Sequence, residues 1–373
     1  MQRHPCQAFT EQLIKRIDYF ETFFSTLRQI FLNMFVMNLR AGFIFTLHIG
    51  LAAVIAGLPG ISRATGGNEN HTTGNFEELV IVSTPISDSH GNIVGVTIPL
   101  RRAGRLFLLD GTIDQVSGNF ILDTGASGLV LNKTYFRNAI SVDDEEGGGV
   151  TGTTGQVTRT NVRSLKVSDL VFQNVSADVT PLGHLENRRG VKILGLFGMS
   201  MMKNLEMVID LRNNSLQLYK LDKNGTPVDG NFPKVKFDIM NKVEEYRNIM
   251  FVKATVGGKI LDFCLDTGAE SNVISTDAPK KALNTVTITR RSSLNGVGSR
   301  QGEVLYGTLN DFLLGNNQIS AMETILCSLA DMSRQYACPI DGMLGYDFFS
   351  RGKIYINLVK KEMGICLKAE GKL

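Results

Sequence analysis

Residues 121–132 read ILDTGASGLVLN, and residues 264–275 read CLDTGAESNVIS. Each stretch carries one carboxylate, Asp123 or Asp266, out of an apolar run and into Thr-Gly-Ala, and the two lie 143 residues apart. In the first copy, Phe120-Ile121-Leu122 reads as a strand that delivers Asp123 to a turn. Gly125 permits a backbone conformation closed to other residues. The Thr124 hydroxyl can lock the loop by hydrogen bonding, and Ala126 is too small to crowd it. Such a loop aims a single carboxylate outward from a rigid base. One copy alone is half a site.

The chain repeats more than this phrase. IDQVSGNFILDTGASGLVLN matches ATVGGKILDFCLDTGAESNVIS, and ILGLFGMSMMKNLEMVIDLRNNSLQLY matches IDGMLGYDFFSRGKIYINLVKKEMGICL. Gly198 and Gly345 correspond at an offset of 147, as do Ile209-Asp210-Leu211 and Ile356-Asn357-Leu358. A constant offset over such a stretch is an internal duplication. It divides the chain into halves at 76–221 and 222–373, joined by the turn-rich DKNGTPVDGNFP. The segments ELVIVSTPI, IVGVTIPL, RLFLLDGTI and GNFILD are short, β-branched or aromatic, and set between Gly, Asn and Asp. They predict strands, and long helical periodicity is absent from this region.

Two copies suggest an approximate twofold axis with Asp123 facing Asp266. At about 4 Å, two such charges repel by roughly 4 kcal/mol at an effective dielectric near 20. They therefore share one proton over a wide pH range. One is then a base and the other an acid, both in contact with one water, and that is the equipment for hydrolysing a peptide bond. The chemistry calls for no metal and no cofactor.

On these residues, positions 93–368 resemble the pepsin and retropepsin aspartic peptidases. The resemblance rests on Asp123-Thr124-Gly125-Ala126 and Asp266-Thr267-Gly268-Ala269. It rests equally on Leu196-Phe197-Gly198 and Met343-Leu344-Gly345, whose glycines lie 75 and 79 residues after their Asp. It implies an all-β, bilobal acid-protease fold: two β-barrel-like lobes related by a pseudo-twofold axis, with few short helices. Asp123 and Asp266 would be the catalytic pair. Thr124 and Thr267 would bridge the lobes, and Gly125 and Gly268 would offer N–H groups near the carboxylates. The apolar-apolar-Gly element would thread behind the loop of its own lobe. Ala126 and Ala269 stand where a Ser or Thr hydroxyl would stabilise the ionised carboxylate. The dyad is accordingly expected to titrate above that of pepsin, with activity at weakly acidic to neutral pH.

The family also covers its cleft with Gly-rich hairpins. EEGGGVTGTTGQVTRT follows the first Asp and SSLNGVGSRQGEVLYG the second. Their expected flap residues are Gly149, Thr151 and Gly152, and Gly296, Val297 and Gly298. Two flaps resemble the retroviral type more than pepsin, which has one. Neither stretch holds the Tyr of pepsin's flap; Tyr306 comes a little later. The alternative is a pair of surface hairpins without a gating role. Asp143-Asp144-Glu145-Glu146 reads as a solvated turn at the base of the first flap.

The 373 residues are 43% hydrophobic and 20% charged, an ordinary balance for a chain that buries a core. The net charge of +3 is small and the basic residues form no block, so nucleic acid is not an expected partner. Between Arg40 and Arg63 runs AGFIFTLHIGLAAVIAGLPGIS, with no charged residue. With Met37-Asn38-Leu39-Arg40 before it and Ser62-Arg63-Ala64 at its end, it is read as a signal peptide within an N-terminal extension, residues 1–64. The alternative is a signal anchor in the inner membrane. Either places the rest outside the cytoplasm: periplasmic, cell-surface or secreted. Residues 65–75 read as a linker.

Cys327 and Cys338 bracket a short loop and either pair or remain thiols, while Cys264 and Cys366 read as core. No His lies in a triad-like setting, and no Gly-rich loop precedes Lys-Ser/Thr. The expected protein is thus an exported aspartic endopeptidase, a monomer acting on peptides or proteins. Two alternatives share the fold: a catalytically silent peptide-binding module, and a retropepsin-like protease that needs a second chain.

Overall fold

The computed structural model describes residues 84–87, 93–137, 158–187, 189–229, 232–294, 302–319 and 321–367. The N-terminal extension, the linker, the Asp143–Glu146 run and the flap residues Gly149, Thr151, Gly152, Gly296, Val297 and Gly298 lie outside them. No helix among the described residues is long and apolar enough to cross a membrane.

The architecture of the described residues is all-β, with a few helices of no more than seven residues. In the first half, six strands close into a ring. It runs from Leu106–Ile113 through Val116–Leu122, Ile193–Phe197, Leu129–Asn132 and Leu170–Thr180 to Thr158–Val167, and the last strand pairs back onto the first. The second half repeats this order from Ile249–Val256 through Lys259–Leu265, Gly342–Leu344, Asn272–Ser275 and Met322–Cys327 to Gly302–Leu309. There the counterpart of the ring-closing strand breaks at Asn310-Asp311, and only the short strand Phe312–Leu314 reaches Ile249–Val256.

The apolar-apolar-Gly elements lie at the centre of each half. Ile193–Phe197 runs parallel to Val116–Leu122 and antiparallel to Leu129–Asn132, so that Leu196 stands between Ile121 and Val130. Gly342–Leu344 does the same, with Met343 between Cys264 and Val273. The two rows match residue for residue under the repeat. A strand covered on both faces reads as an unbroken apolar run, which is why ILGLF is buried at every position. The following glycine is fixed by contact. A Cβ on Gly198 would stand 2.2 Å from the Gly128 carbonyl oxygen, and one on Gly345 would stand 2.6 Å from those of Ala269 and Ser271.

A third sheet joins the halves. Its order is Thr84–Ser87, Ile93–Pro99, Ser215–Lys220, Leu205–Asp210, then Gly352–Asn357, Glu362–Leu367 and Ile239–Lys242. Across the seam, Val208 pairs with Tyr355, its own counterpart at the repeat offset. The pseudo-twofold axis passes through that pair. A residue opposite its own image at the seam obliges the two halves to present equivalent loops to each other, and these include the two Asp loops.

Cys264 and Cys327 are buried, Cys338 is half-buried, and all three are free thiols. Cys366 corrects the expectation of a core residue. It is half-buried near the end of strand Glu362–Leu367, beside the Lys236 carbonyl, because its apolar run reaches the margin of the joining sheet.

Candidate active site

Both Asp loops are built alike. The Asp123 N–H donates to the Phe197 carbonyl at 3.1 Å and the Asp266 N–H to that of Leu344 at 3.0 Å, which ties each loop to its threading strand. Each turn closes on itself, with the Ala126 N–H donating to the Asp123 carbonyl and the Ala269 N–H to that of Asp266, both at 3.2 Å. The Gly125 N–H donates to Asp123 Oδ1 at 2.9 Å, and the Gly268 N–H to Asp266 Oδ1 at 2.8 Å. Behind them, the carbonyls of Ala126 and Ala269 accept from the N–H groups of Met199 and Tyr346, each at 2.9 Å.

Four hydrogen bonds join the loops across the halves. Thr124 Oγ1 donates to the Leu265 carbonyl at 2.8 Å and accepts from the Thr267 N–H at 3.0 Å. Thr267 Oγ1 donates to the Leu122 carbonyl at 2.8 Å and accepts from the Thr124 N–H at 3.0 Å. Both threonines are fully buried. The grip pushes each carboxyl against the other half's glycine. A Cβ on Gly125 would stand 2.6 Å from Asp266 Cγ, and one on Gly268 would stand 2.7 Å from Asp123 Cγ. Only glycine leaves room for the two carboxyls to meet, and they lie within hydrogen-bonding reach of each other.

Burial pushes the Asp123 carboxyl well above the usual carboxylate range, with the Asp266 charge and hydrogen bond adding to it and the Gly125 and Ala126 N–H groups opposing. Burial also raises Asp266, against the N–H groups of Gly268 and Ala269 and the hydrogen bond to Asp123. The pair therefore keeps a proton above the range where an ordinary Asp has lost it. Ala126 and Ala269, each 1% exposed, bring no hydroxyl to the carboxylates. Asp123 keeps partial access to solvent, while Asp266 is 8% exposed.

Of the expected flaps, the described parts are the last three residues of the first, which open strand Thr158–Val167, and the stem of the second, where Val286–Leu294 pairs with Gly302–Leu309. The Arg290 guanidinium lies over the Tyr306 ring there, 4.2 Å from its centre.

Three side chains at the site were not singled out from the sequence. Tyr336 Oη donates to the Gly125 carbonyl at 3.1 Å from the opposite half. Arg189 makes a buried ion pair with Glu270, the residue after Ala269, again across the halves. The signal that relates two of them was present: Arg189 and Tyr336 differ by 147, the repeat offset. What each reaches was not encoded in that spacing.

The aspartyl protease family model matches this chain twice, over residues 109–201 and 252–348, together just over half its length. Similar solved structures include an aspartic proteinase from Irpex lacteus, at 12% identity over 73% of this chain and 97% of that one, with a TM-score of 0.44. Others are basic 7S globulin from soybean, at 8% over 75% and 98% with a TM-score of 0.43, and edgp, at 11% over 73% and 94% with a TM-score of 0.39. No curated protein matches the sequence.

Proposed function

This chain belongs to the aspartyl protease family, and from that premise we propose that it is an endopeptidase with one composite active site made by Asp123 and Asp266. The observation that carries this reading is the reciprocal seating of each carboxyl against the glycine of the other loop. In that arrangement, one ionised carboxyl takes a proton from a water as its oxygen attacks the scissile carbonyl carbon. The protonated partner gives its proton to the carbonyl oxygen. The gem-diol collapses when the newly protonated carboxyl gives its proton to the amide nitrogen, its partner takes one from a diol hydroxyl and the C–N bond breaks, which leaves the dyad with the single proton it began with. The Gly125 and Gly268 N–H groups steady the anion throughout.

Pairing within one chain supports a monomer, since all four threonine bonds join two loops of the same chain. A tether between halves raises their effective concentration far above that of a second chain. The test is cleavage of a mixed peptide library by the full chain between about pH 4 and 7, with and without pepstatin. Cuts between apolar residues, fastest in the weakly acidic to neutral range, are expected. Peptide capture without any cut would overturn the endopeptidase reading in favour of a binding module.

The reading also includes export, on the uncharged run between Arg40 and Arg63. A protease added to intact cells or spheroplasts should digest residues beyond 75, and full protection would remove export from the proposal.

A further inference from the structure

Arg189 and Tyr336 occupy the same place in the two halves. Each lies four residues before the isoleucine that opens the threading segment, Ile193 or Ile340. Each crosses to the opposite half, and there they part. The Arg189 guanidinium meets the Glu270 carboxylate of the other half and the Ala103 carbonyl of its own. Tyr336, 5% exposed, instead donates its hydroxyl to the carbonyl of Gly125, inside the Asp123 loop. The peptide group it binds is the one between Gly125 and Ala126, and the N–H of that same group closes the turn on the Asp123 main-chain carbonyl at 3.2 Å. A donor on the oxygen of a peptide makes its N–H a stronger donor in turn.

We propose that Tyr336 is a positioning residue of the dyad, which through the Gly125–Ala126 peptide steadies the turn that seats the Asp123 carboxylate on the Gly125 N–H. This rests on the reading of Asp123 and Asp266 as a catalytic pair. The titratable groups around the phenol are Asp123, Asp266, Cys264 and Cys338, and burial among them pushes the Tyr336 hydroxyl well above its ordinary range. It therefore remains a neutral donor at every pH at which the dyad titrates. The carbonyl of Gly125 cannot be served by Arg189, which lies with Glu270 on the loop of the other Asp. The repeat thus gives the two loops equal geometry and unequal electrostatic support.

The test is Tyr336→Phe in the full chain, which deletes the hydroxyl and keeps the ring. The acidic limb of the kcat/KM profile should move up by about half a pH unit, with kcat/KM on that limb falling about threefold and KM unchanged on the plateau. Replacing Tyr336 with 3-fluorotyrosine, a stronger donor of the same shape, should move the limb the opposite way. Glu270→Gln should lower Tm and leave the limb in place. Carbon-13 titration of the Asp carboxyls follows the same shifts without turnover, so it decides the role of Tyr336 even if the wild type cuts no peptide. A Tyr336→Phe dyad that titrates like wild type, or a fluorinated variant that shifts in the same direction as Phe, would overturn the proposal.

Discussion

Asp123→Asn is expected to end peptide cleavage, with kcat/KM falling by on the order of 10³–10⁴-fold, while peptides still bind and the fold becomes more stable at neutral pH. The loss follows from the proton inventory. The reaction needs one ionised and one protonated carboxyl on the same water, and an amide can be neither. The gain in stability follows from linkage. The Asp123 carboxyl is raised in the folded protein by burial and by the Asp266 charge, while in the unfolded chain it titrates near 3.9. Between those two values the native state holds a proton that the unfolded state has released. The stability linked to that proton is complete below the unfolded value and drains away as pH rises through the native one. Each unit of elevation corresponds to about 1.4 kcal/mol. Asparagine carries no such dependence and relieves Asp266 of a like charge. The difference in Tm between variant and wild type should therefore be small near pH 4 and grow toward pH 7. Thermal unfolding across that range, alongside peptide binding by the inactive variant, checks both halves of the statement. A variant that still turned over substrate would mean the water is activated elsewhere.

Much of this was legible in the chain because the duplication wrote it twice. The constant offset from Gly198 and Gly345 to Ile209 and Ile356 places the threading strands and the joining sheet in register with their partners. The row Leu196–Ile121–Val130 and the row Met343–Cys264–Val273 show the duplication as geometry. Local pattern also sufficed for the loops, since a strand ending in Asp-Thr-Gly-Ala has few ways to turn.

What local pattern does not carry is the contact between distant residues of unlike chemistry. Arg189 and Tyr336 share a position but not a side chain, so nothing in their neighbourhoods states that one seeks a carboxylate and the other a carbonyl. Glu270 stands where the first repeat has Ser127, and its meaning depends on an arginine 81 residues earlier. The half-exposed Cys366 was misjudged for a related reason. An apolar run tells which strand a residue joins, not whether that strand ends at the margin of its sheet. The closed ring of the first half and the broken one of the second likewise depend on two residues, Asn310 and Asp311, that interrupt pairing without disturbing the pattern on either side.

Thr124→Val carries the largest expected cost to the fold among single-atom changes at the site. Valine has the shape of threonine, so packing is kept and only hydrogen bonds are lost. The change strands two fully buried groups: the Leu265 carbonyl, which loses its donor, and the Thr267 N–H, which loses its acceptor. A buried polar group left without a partner costs about 1–3 kcal/mol, so the pair should cost roughly 2–6 kcal/mol. Thr112 serves as the comparison. Its hydroxyl meets Ser117 on the exposed surface, where water replaces a lost partner, and Thr112→Val should shift stability by no more than about 0.5 kcal/mol. Thr124→Ser keeps the oxygen and should retain most of what valine loses.

The grip also predicts a coupling. Thr124 and Thr267 hold the same two loops by separate pairs of bonds, so once either is cut the loops can part and let water reach the groups of the other. Thr267→Val added to Thr124→Val should then cost less than it does alone, by on the order of 1 kcal/mol or more in a double-mutant cycle. Strict additivity in that cycle would mean that the two halves are held in place by the joining sheet, and that the threonines report the meeting of the loops rather than enforce it.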